Sequence, residues 1–398
     1  WCCQDAKNTN CSFSSYCWCS WCVYFDSSFT VIFIRNKSRC WTIVLKNYRT
    51  LATQQVWDGT SQTIITQLPR DFLAQRYILD LNSPTIKTVG GSSTLVTDAL
   101  LKCISEIKIV AVGEGSSRTI FSISGQDLWH MNNWDYGSPI SFLLVPTTTS
   151  DTQCHVGWVI DFRCNKLDPD DYSVSLPTYL LSSLQLEITY VAPSATNYGT
   201  NFPTSAGWTA DMTLNITCVE GIPEAGEDFS SNPLLTVLSK TLTADTSTGT
   251  LEPFDTFFQV GALIRRDFLC VETSAGVRSD AECANFEVTS GTIPLMSNIQ
   301  YQANKSKDIQ NYRIANSVVS QHGATTMPTP PFDTGGYDSD GYTMIDFYNN
   351  RMPFISTAGG LRIGGLSTVG YNTSDLVLKC NFNNASSQIR RVQETVEG

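Results

Sequence analysis

The feature of this sequence that most constrains its fold is a series of short runs of β-branched and aromatic residues, each ended by a cluster of turn-forming residues. Runs of this kind predict β-strands, and helical periodicity is scarce along the chain. From residue 51 onward the first series predicts eight strands, at 64–68, 76–81, 104–112, 119–123, 141–145, 156–162, 184–191 and 212–219. Eight strands within about 170 residues are enough for one antiparallel jelly roll.

A second series of strands follows a turn-rich stretch at 220–253, where we place the junction between two domains. Residues 301–319 are compatible with a helix or with a long excursion. The strands of this series are predicted at 257–260, 264–271, 286–288, 344–348 and 376–382. The predicted fold class is therefore all-β, with two consecutive eight-stranded antiparallel jelly-roll sandwiches side by side.

The predicted division of the chain has five segments. They are an atypical N-terminal extension at 1–50, a first jelly roll at 51–222, a linker at 223–252, a second jelly roll at 253–385 and a C-terminal tail at 386–398. The tail is expected to be either an arm that clamps an oligomer or a disordered end.

The N-terminal extension differs from the rest of the chain in cysteine content and charge. It holds seven of the fourteen cysteines, and six Lys or Arg residues against two Asp or Glu. The Cys17-x-Cys19-x-x-Cys22 spacing matches no standard zinc finger, so no metal ligands are assigned. The extension is interpreted as poorly ordered or as wrongly assigned to this protein. The other seven cysteines are scattered singly through strand patterns and are expected to be buried free thiols.

The charge balance narrows the classes of partner. Charged residues make up only 16% of the chain, against about 25% in an average soluble domain. A low charge fraction suits a protein that covers much of its surface with partners. The net charge of −11 argues against a surface built to hold phosphate backbones. The longest apolar run, at 29–34, is far shorter than the roughly 20 residues that span a bilayer.

No motif in the sequence carries catalytic chemistry, so no catalytic, cofactor-binding or metal-binding residue is assigned. The three histidines, His130, His155 and His322, have no nucleophile motif beside them and are expected to be structural or exposed. The Gly-rich stretch 359–365 is interpreted as loop, strand and loop rather than as a phosphate cradle. Acidic groups that fit either calcium ligation or solvated turns occur at Asp168, Asp170, Asp171, Asp338 and Asp340.

Two arginine doublets stand out, Arg265-Arg266 and Arg390-Arg391. Neighbours in a strand point to opposite faces, so one member of a doublet is expected to bond the carboxylate of a neighbour.

Several short strings occur in an order that resembles a known family. In the first series these are 64–70 with its Leu-Pro-Arg turn, 77–81, 102–113 and 125–132. In the second series they are 261–269, 278–280 and 344–347. Together the strings, which span roughly residues 55–385, resemble the double jelly-roll major capsid proteins of tailless icosahedral viruses, the lineage of membrane-containing bacteriophages and adenovirus hexon. Residues 1–50 match nothing in that family.

The resemblance implies a structural protein of the virion, assembled in the host cell, without enzymatic activity and without cofactors. Three chains would form a trimer with a pseudo-hexameric outline, and trimers would tile an icosahedral shell. The implied partners are other copies of the chain, in one trimer and in its neighbours. Penton proteins, minor capsid proteins and an internal membrane are further implied partners, and sequence-specific nucleic acid is not.

Two alternatives remain open at the level of sequence. The first is a secreted β-sandwich that binds carbohydrate or acts as an adhesin, with Trp129, Trp134 and Trp208 as surface-loop aromatics. The second is a β-sandwich glycoside hydrolase, for which the acidic loops would have to supply a pair of carboxylates.

Overall fold

The computed structural model describes most of the chain between residue 45 and residue 397. The described residues are 24–25, 31–32, 45–51, 54–113, 115–136, 143–163, 166, 174–204, 207–208, 211–222, 235–244, 252–253, 258, 260–312, 339–347, 365–372, 374–384 and 387–397.

The first group of strands extends to residue 222. These strands are β1 (Tyr24–Phe25), β2 (Val31–Ile32), β3 (Leu45–Thr50), β4 (Gln55–Trp57), β5 (Gln62–Gln67), β6 (Leu73–Ile86), β7 (Ile104–Gly113), β8 (Ser116–Ile123), β9 (Leu143–Leu144), β10 (Thr152–Asp161), β11 (Leu176–Pro177), β12 (Ser183–Tyr190) and β13 (Met212–Ile222).

The second group begins at residue 235. These strands are β14 (Leu235–Ala244), β15 (Glu252–Pro253), β16 (Leu263–Glu272), β17 (Cys283–Ser290), β18 (Ile293–Gln300), β19 (Tyr342–Asp346), β20 (Leu366–Ser367), β21 (Leu376–Phe382) and β22 (Gln388–Glu397). The α-helices within the described residues are α1 (Gly125–Tyr136) and α2 (Tyr301–Tyr312), and single 3₁₀ turns lie at Leu100–Cys103, Thr178–Leu180 and Asp280–Glu282.

The first half of the molecule, from β3 to β13, is a sandwich of two antiparallel sheets. One sheet has the strand order β3-β13-β6-β10-β9, and the facing strands have the order β8-β7-β12-β5. Alternation builds this core, since in β12 Leu184, Leu186, Ile188 and Tyr190 are buried while the residues between them are partly exposed. Each strand therefore directs every second side chain between the sheets.

The second half, from β14 to β22, is a second sandwich with its own core. Its sheets have the orders β19-β16-β22-β14 and β15-β21-β17-β18. In β21 the buried residues again alternate, at Leu376, Leu378, Cys380 and Phe382. They pack with residues of β16, β17 and β22 in one apolar cluster.

A single sheet passes through both halves. Strand β14 of the second half lies parallel to β8 of the first, with Leu238 opposite Phe121. This contact joins the two four-stranded layers into the order β19-β16-β22-β14-β8-β7-β12-β5. Two jelly-roll sandwiches side by side, as the sequence predicts, share one continuous layer.

The all-β prediction is confirmed, but four details of it are wrong. Residues 125–136, for which no helix is predicted from the sequence, form α1. Residues 45–50, assigned to a poorly ordered extension, form β3 in the seven-stranded sheet. The tail is neither an arm nor a disordered end, because β22 pairs with β14 on one side and β16 on the other. No strand occurs at the described positions 258 and 260, within the strand predicted at 257–260.

The position of the domain boundaries stays a prediction. The range proposed as a linker, 223–252, contains β14 at 235–244, so that range includes at least one strand of the second sandwich. Within the portion of the chain that the structure covers, no helix has the length and apolar character needed to cross a bilayer.

Candidate functional site: a buried charged interface between the two halves

Helix α1 lies between the two halves and is buried on all sides. Eleven of its twelve residues are buried, although the helix has no apolar stripe and carries Gln, Asp, His and Asn side chains. On one side it packs against β10 and β7 of its own half. On the other side it contacts the outer face of the second-half sheet, meaning the face of β16, β22 and β19 that points away from the second core. We call this contact the α1 interface.

The start of α1 is fixed by its own sequence. Ser124 caps the helix, since its hydroxyl oxygen accepts the backbone N–H of Asp127 at 3.0 Å and its O–H donates to the Asp127 carboxylate at 2.6 Å. Gly125 is required by close approach, because a Cβ there would lie 2.7 Å from the Cβ of Ile104. The carbonyl of Gly125 accepts the indole N–H of Trp158, which ties the helix to β10.

Asp98 is the centre of the first charged cluster at the interface. Arg278 of the second half donates two hydrogen bonds to this carboxylate, at 2.5 and 3.2 Å. His130 Nε2 of α1 lies 3.1 Å from the same carboxylate, and Gln126 donates to it at 2.8 Å. The His130 ring also stacks on Tyr342 of β19, with ring centroids 4.3 Å apart. One buried carboxylate therefore holds groups from both halves.

Asp127 is a second buried carboxylate that binds groups of the other half. Arg390 of β22 donates to it through Nε at 3.0 Å and Nη2 at 2.9 Å, and the hydroxyl of Tyr342 donates at 2.9 Å. Arg390 also bonds Glu272 of β16. Bidentate contacts of this kind are strong only when both groups are held in place, and here both are buried.

The second cluster lies at the other end of α1. Arg266 of β16 donates to Asp135 of α1 at 2.9 Å through Nη2 and to Glu394 of β22 at 2.5 Å through Nε. Arg265 donates to Glu394 at 3.0 Å. All four side chains are nearly inaccessible to solvent. The interface is thus closed by ion pairs at both ends, with Trp134 packed edge-on against Phe268 between them.

The electrostatics of these carboxylates follow from burial and from their cationic neighbours. Burial raises the pKa of Asp98, but Arg278 and His130 outweigh it and hold that pKa well below its ordinary value. Burial likewise opposes ionisation of Glu394, yet Arg266, Lys166 and Arg265 lower its pKa to about 2. A lowered pKa stabilises the folded state above the unfolded pKa, and this contribution is lost as the pH falls through the folded pKa. We therefore expect the α1 interface to be intact at neutral pH and to weaken toward pH 2.

The arginine doublets have the partners that the sequence suggests, and more. Arg390 points to the α1 interface while Arg391 points into the second core, where it donates to Asp267 at 2.9 Å and lies over the ring of Phe258. Arg265 and Arg266 both reach Glu394 instead of opposite faces. The register of β16 against β22 shifts between Ile264 and Arg266, and this irregularity alters the alternation there.

The other candidate residues are separated in space or lie outside the described residues. His155 on β10 pairs with Asp80 of β6, away from His130, and His322 is not among the described residues. Asp340 accepts a backbone N–H from Asp280 at 3.0 Å. Asp168, Asp170, Asp171, Asp338 and the Cys17–Cys22 cluster also lie outside the described ranges, as does 359–364. Among the residues described, no group of three potential metal ligands comes together.

The burial of the cysteines and of the tryptophans tests two predictions made from the sequence, free thiols and surface-loop aromatics. The free-thiol prediction is confirmed for Cys103, Cys154, Cys218, Cys270, Cys283 and Cys380, all buried, while Cys164 lies outside the described residues. Burial raises the pKa of the Cys103 thiol to about 12, which leaves it unreactive. The tryptophans proposed as surface-loop aromatics are buried: Trp134 is 0%, Trp129 8% and Trp208 9% exposed. That prediction is wrong, and the carbohydrate-binding alternative loses the residues on which it depended.

Comparisons with known proteins identify the fold. No family model matches the chain, and no curated protein sequence matches it. Among solved structures, the major capsid protein of Sulfolobus turreted icosahedral virus matches with a TM-score of 0.63 at 14% identity, over 88% of this chain and 97% of that one. VP54 of PBCV-1 matches with a TM-score of 0.56 at 9% identity, over 93% and 96% of the two chains. The major capsid protein P2 of bacteriophage PM2 matches with a TM-score of 0.51 at 12% identity, over 89% and 98%.

At these identities the likeness establishes the fold and nothing more. It extends over nearly the full length of each solved chain, so both sandwiches and their arrangement are included. This chain therefore has the double jelly-roll fold that these viral capsid proteins share.

Proposed function

We propose that this chain is a structural major capsid protein, whose trimers form pseudo-hexameric capsomers that tile an icosahedral viral shell. The observation that carries the proposal is the match of both jelly rolls, in one arrangement, to major capsid proteins over 88–89% of this chain. A fold alone does not fix a function, so the proposal also draws on the character of the molecule.

Two physical features favour a building unit over an enzyme or a receptor. The two halves are joined by a continuous sheet and by buried ion pairs, which makes the chain one rigid block. Its low charge fraction is what a chain needs if neighbouring copies cover much of its surface. In this proposal the chain has no enzymatic activity and is located in the virion shell, its partners are other copies of itself, and sequence-specific nucleic acid is not among them.

The proposal includes contacts with penton proteins, minor capsid proteins and an internal membrane, and only the fold supports them. We also propose that the chain divides near 223–252, with most of β14 belonging to the second jelly roll. Imaging assembled particles at a resolution that traces the chain would test both statements.

The test is the mass of the purified chain in solution. Native mass spectrometry and light scattering at micromolar concentration are expected to give trimers, and crowding or high protein concentration is expected to give sheets or shells visible by electron microscopy. A chain that stays monomeric at micromolar concentration under all these conditions would contradict the proposal.

A further inference from the structure

The two halves of the molecule repeat the same architecture strand by strand. The sheet β3-β13-β6-β10 of the first half corresponds to β14-β22-β16-β19 of the second, and β5-β12-β7-β8 corresponds to β15-β21-β17-β18. In each half the strands follow one another along the chain in the same sequence. In each half one helix, α1 or α2, follows the strand at the end of the second of these sheets, β8 or β18.

The two helices can be aligned residue by residue. Each has twelve residues and ends in a tyrosine. The hydroxyl of Tyr136 donates to Asp161 at the end of β10, and the hydroxyl of Tyr312 donates to Asp346 at the end of β19, the corresponding strand. The equivalence of the helices is therefore fixed by contacts with their own sandwiches.

The position four residues before each tyrosine supports the same alignment. Asn132 of α1 accepts the backbone N–H of Val159 at 2.8 Å and donates to its carbonyl at 2.9 Å. Asp308 of α2 accepts the backbone N–H of Met344 at 2.9 Å. Val159 and Met344 each precede the tyrosine-bound aspartate by two residues.

The helices differ on the side that points away from their own sandwich. In α1 this side makes the α1 interface, through Asp127, His130, Trp134 and Asp135. The equivalent positions of α2 are Ala303, Ser306, Gln310 and Asn311, and all four are exposed. In a single chain, the side of α2 that is equivalent to the docking side of α1 is therefore not covered by any of the described residues.

The surface that would receive α2 exists on the first half. Arg266, which holds Asp135 of α1, lies opposite Asp346 in the register of β16 and β19. Arg76 of β6 lies opposite Asp161 in the register of β6 and β10, so it holds the equivalent position. The Nε atom of Arg76 is shielded from solvent and has no hydrogen-bond partner among the described residues.

The strand edges repeat this relation. Inside the chain β8 pairs with β14 through Phe121 and Leu238. The corresponding strands β18 and β3 are both sheet edges within the described structure. By register, Tyr48 of β3 stands where Leu238 stands in β14, and it is 58% exposed. Phe121 precedes α1 by four residues, as Ser297 of β18 precedes α2.

The edge at β18 has only part of the usual protection of an exposed strand, because Pro294 lies within it but no charged side chain does. None of its eight residues is charged, and Ile293 is 65% and Leu295 41% exposed. Natural edge strands are normally protected by charged side chains or by a covering element. Since the chain carries a net charge of −11, an uncharged apolar edge is also where two copies can meet with the least repulsion.

We infer that β18 and α2 of one copy dock onto β3 and the outer face of the first-half sheet of a second copy, repeating between chains the interface that joins the two halves within one. Tyr48 would lie near Ser297 of the next copy, and Arg76 would donate to the side-chain oxygen of Asn311. Because the two surfaces are different, the contact is head-to-tail, and in the proposed trimer three such contacts close into a ring. The inference rests on the proposed self-association and adds which surfaces meet.

Cross-linking between paired cysteines tests the contact directly. Tyr48→Cys and Ser297→Cys variants would be prepared singly, mixed, and combined in one chain, then treated with a short bismaleimide. The single variants are expected to give no new product, the mixture to give cross-linked dimers, and the double variant to give covalent rings. The unsubstituted chain controls for the native cysteines, and peptide mapping must place the link between positions 48 and 297.

A charge exchange gives an independent measurement that does not depend on cysteine geometry. Arg76→Glu alone and Asn311→Arg alone are expected to weaken association at least about tenfold, and the two together to restore it. Self-association without links at 48 and 297, or without restoration in the double variant, would overturn this contact while leaving the capsid proposal standing. A chain that remains monomeric would overturn both.

Discussion

The outer faces of the two equivalent sheets have the same strand order, but the equivalent strands β22 and β13 differ in the chemistry that they present there. The second-half face, covered by α1 in the same chain, carries Arg390 and Val392 on β22, and the corresponding positions on β13 of the first half are Asn215 and Thr217. Arg390 is buried and ion-paired, whereas Asn215 and Thr217 are partly exposed.

This difference separates a surface whose partner belongs to the same chain from a surface whose partner is present only after another copy has bound. A surface whose partner is in the same chain meets that partner in every folded molecule, so charged groups can be buried there against fixed counter-charges. A surface that must wait in water for another copy is better served by neutral polar groups, which water satisfies until the contact forms. Arg266 and Arg76 are the pair of residues in which the two situations can be compared most directly.

The largest effect is expected from removing Arg266, with removal of the equivalent Arg76 as the matched comparison. Arg266→Met leaves Asp135 without its bidentate partner and Glu394 with less compensation, so the free energy of unfolding should fall by about 3–5 kcal/mol. Arg76→Met in dissociated chains should change it by less than about 0.5 kcal/mol, because the Nε atom of Arg76 has no hydrogen-bond partner among the described residues. Urea denaturation at low protein concentration measures both. Equal losses of stability would contradict the contrast between an ion-paired Arg266 and an Arg76 whose partner is missing in the dissociated chain.

Substitution of either tyrosine that ends a helix is expected to cost less stability than Arg266→Met, and the same amount in both halves. Tyr136→Phe and Tyr312→Phe each remove one hydrogen bond to a carboxylate, of Asp161 or Asp346, which is worth roughly 1.5–3 kcal/mol. Equivalent positions should lose similar amounts, as judged by the same denaturation experiment. A difference above about 1 kcal/mol would weaken the residue-by-residue alignment of α1 and α2.

The smallest effect concerns pH and the position occupied by Asn132 in α1 and Asp308 in α2. Burial raises the pKa of Asp308 to about 6, although Lys307 and the hydrogen bonds from Met344 and Thr343 oppose the shift. A raised carboxyl pKa contributes stability that is present below the unfolded pKa and is lost as the pH rises through about 6. Asp308→Asn should therefore gain roughly 1–2 kcal/mol over the parent chain between about pH 4 and pH 8.

The matched control for this titration is Asn132→Asp. It should introduce a similar loss of stability with rising pH in the first half, where the parent chain has none at that position. Denaturation curves collected from about pH 4 to pH 8 on both variants and the parent would decide. A parent chain whose difference from Asp308→Asn is constant over this range would contradict the assignment.

The sequence predicts those regions of the fold in which one side chain in two is buried. Strands β12 and β21 alternate cleanly, and the strand predicted at 376–382 has the bounds of β21. The sequence does not predict β18, because both of its faces are largely exposed and a proline interrupts it, so no alternation is present. Strand β22 escapes prediction for the opposite reason: its arginines and glutamates are typical of a surface, but most are buried against counter-charges.

The candidate site is largely hidden from sequence reasoning. Helix α1 is buried all around, so it has no apolar stripe to reveal it, and its Asp, His and Asn residues are typical of a turn. The arginine doublets are the one visible signal, since adjacent charges inside strand patterns require partners. The carboxylates of the α1 interface could not be named, because Asp98, Asp127 and Asp135 are more than 120 residues away from the arginines that bind them, and only the fold brings them together.

The continuous sheet that passes from β5 to β19 has a mechanical consequence. A hinge movement between the two sandwiches would have to pull β14 from β8 and also draw α1 with its ion pairs out of a dry environment. Compliance under load is therefore expected to lie at the joints between copies and not within them. A shell made of such blocks would, when indented, yield along capsomer boundaries first, with each subunit keeping its shape until the ion pairs are themselves disrupted.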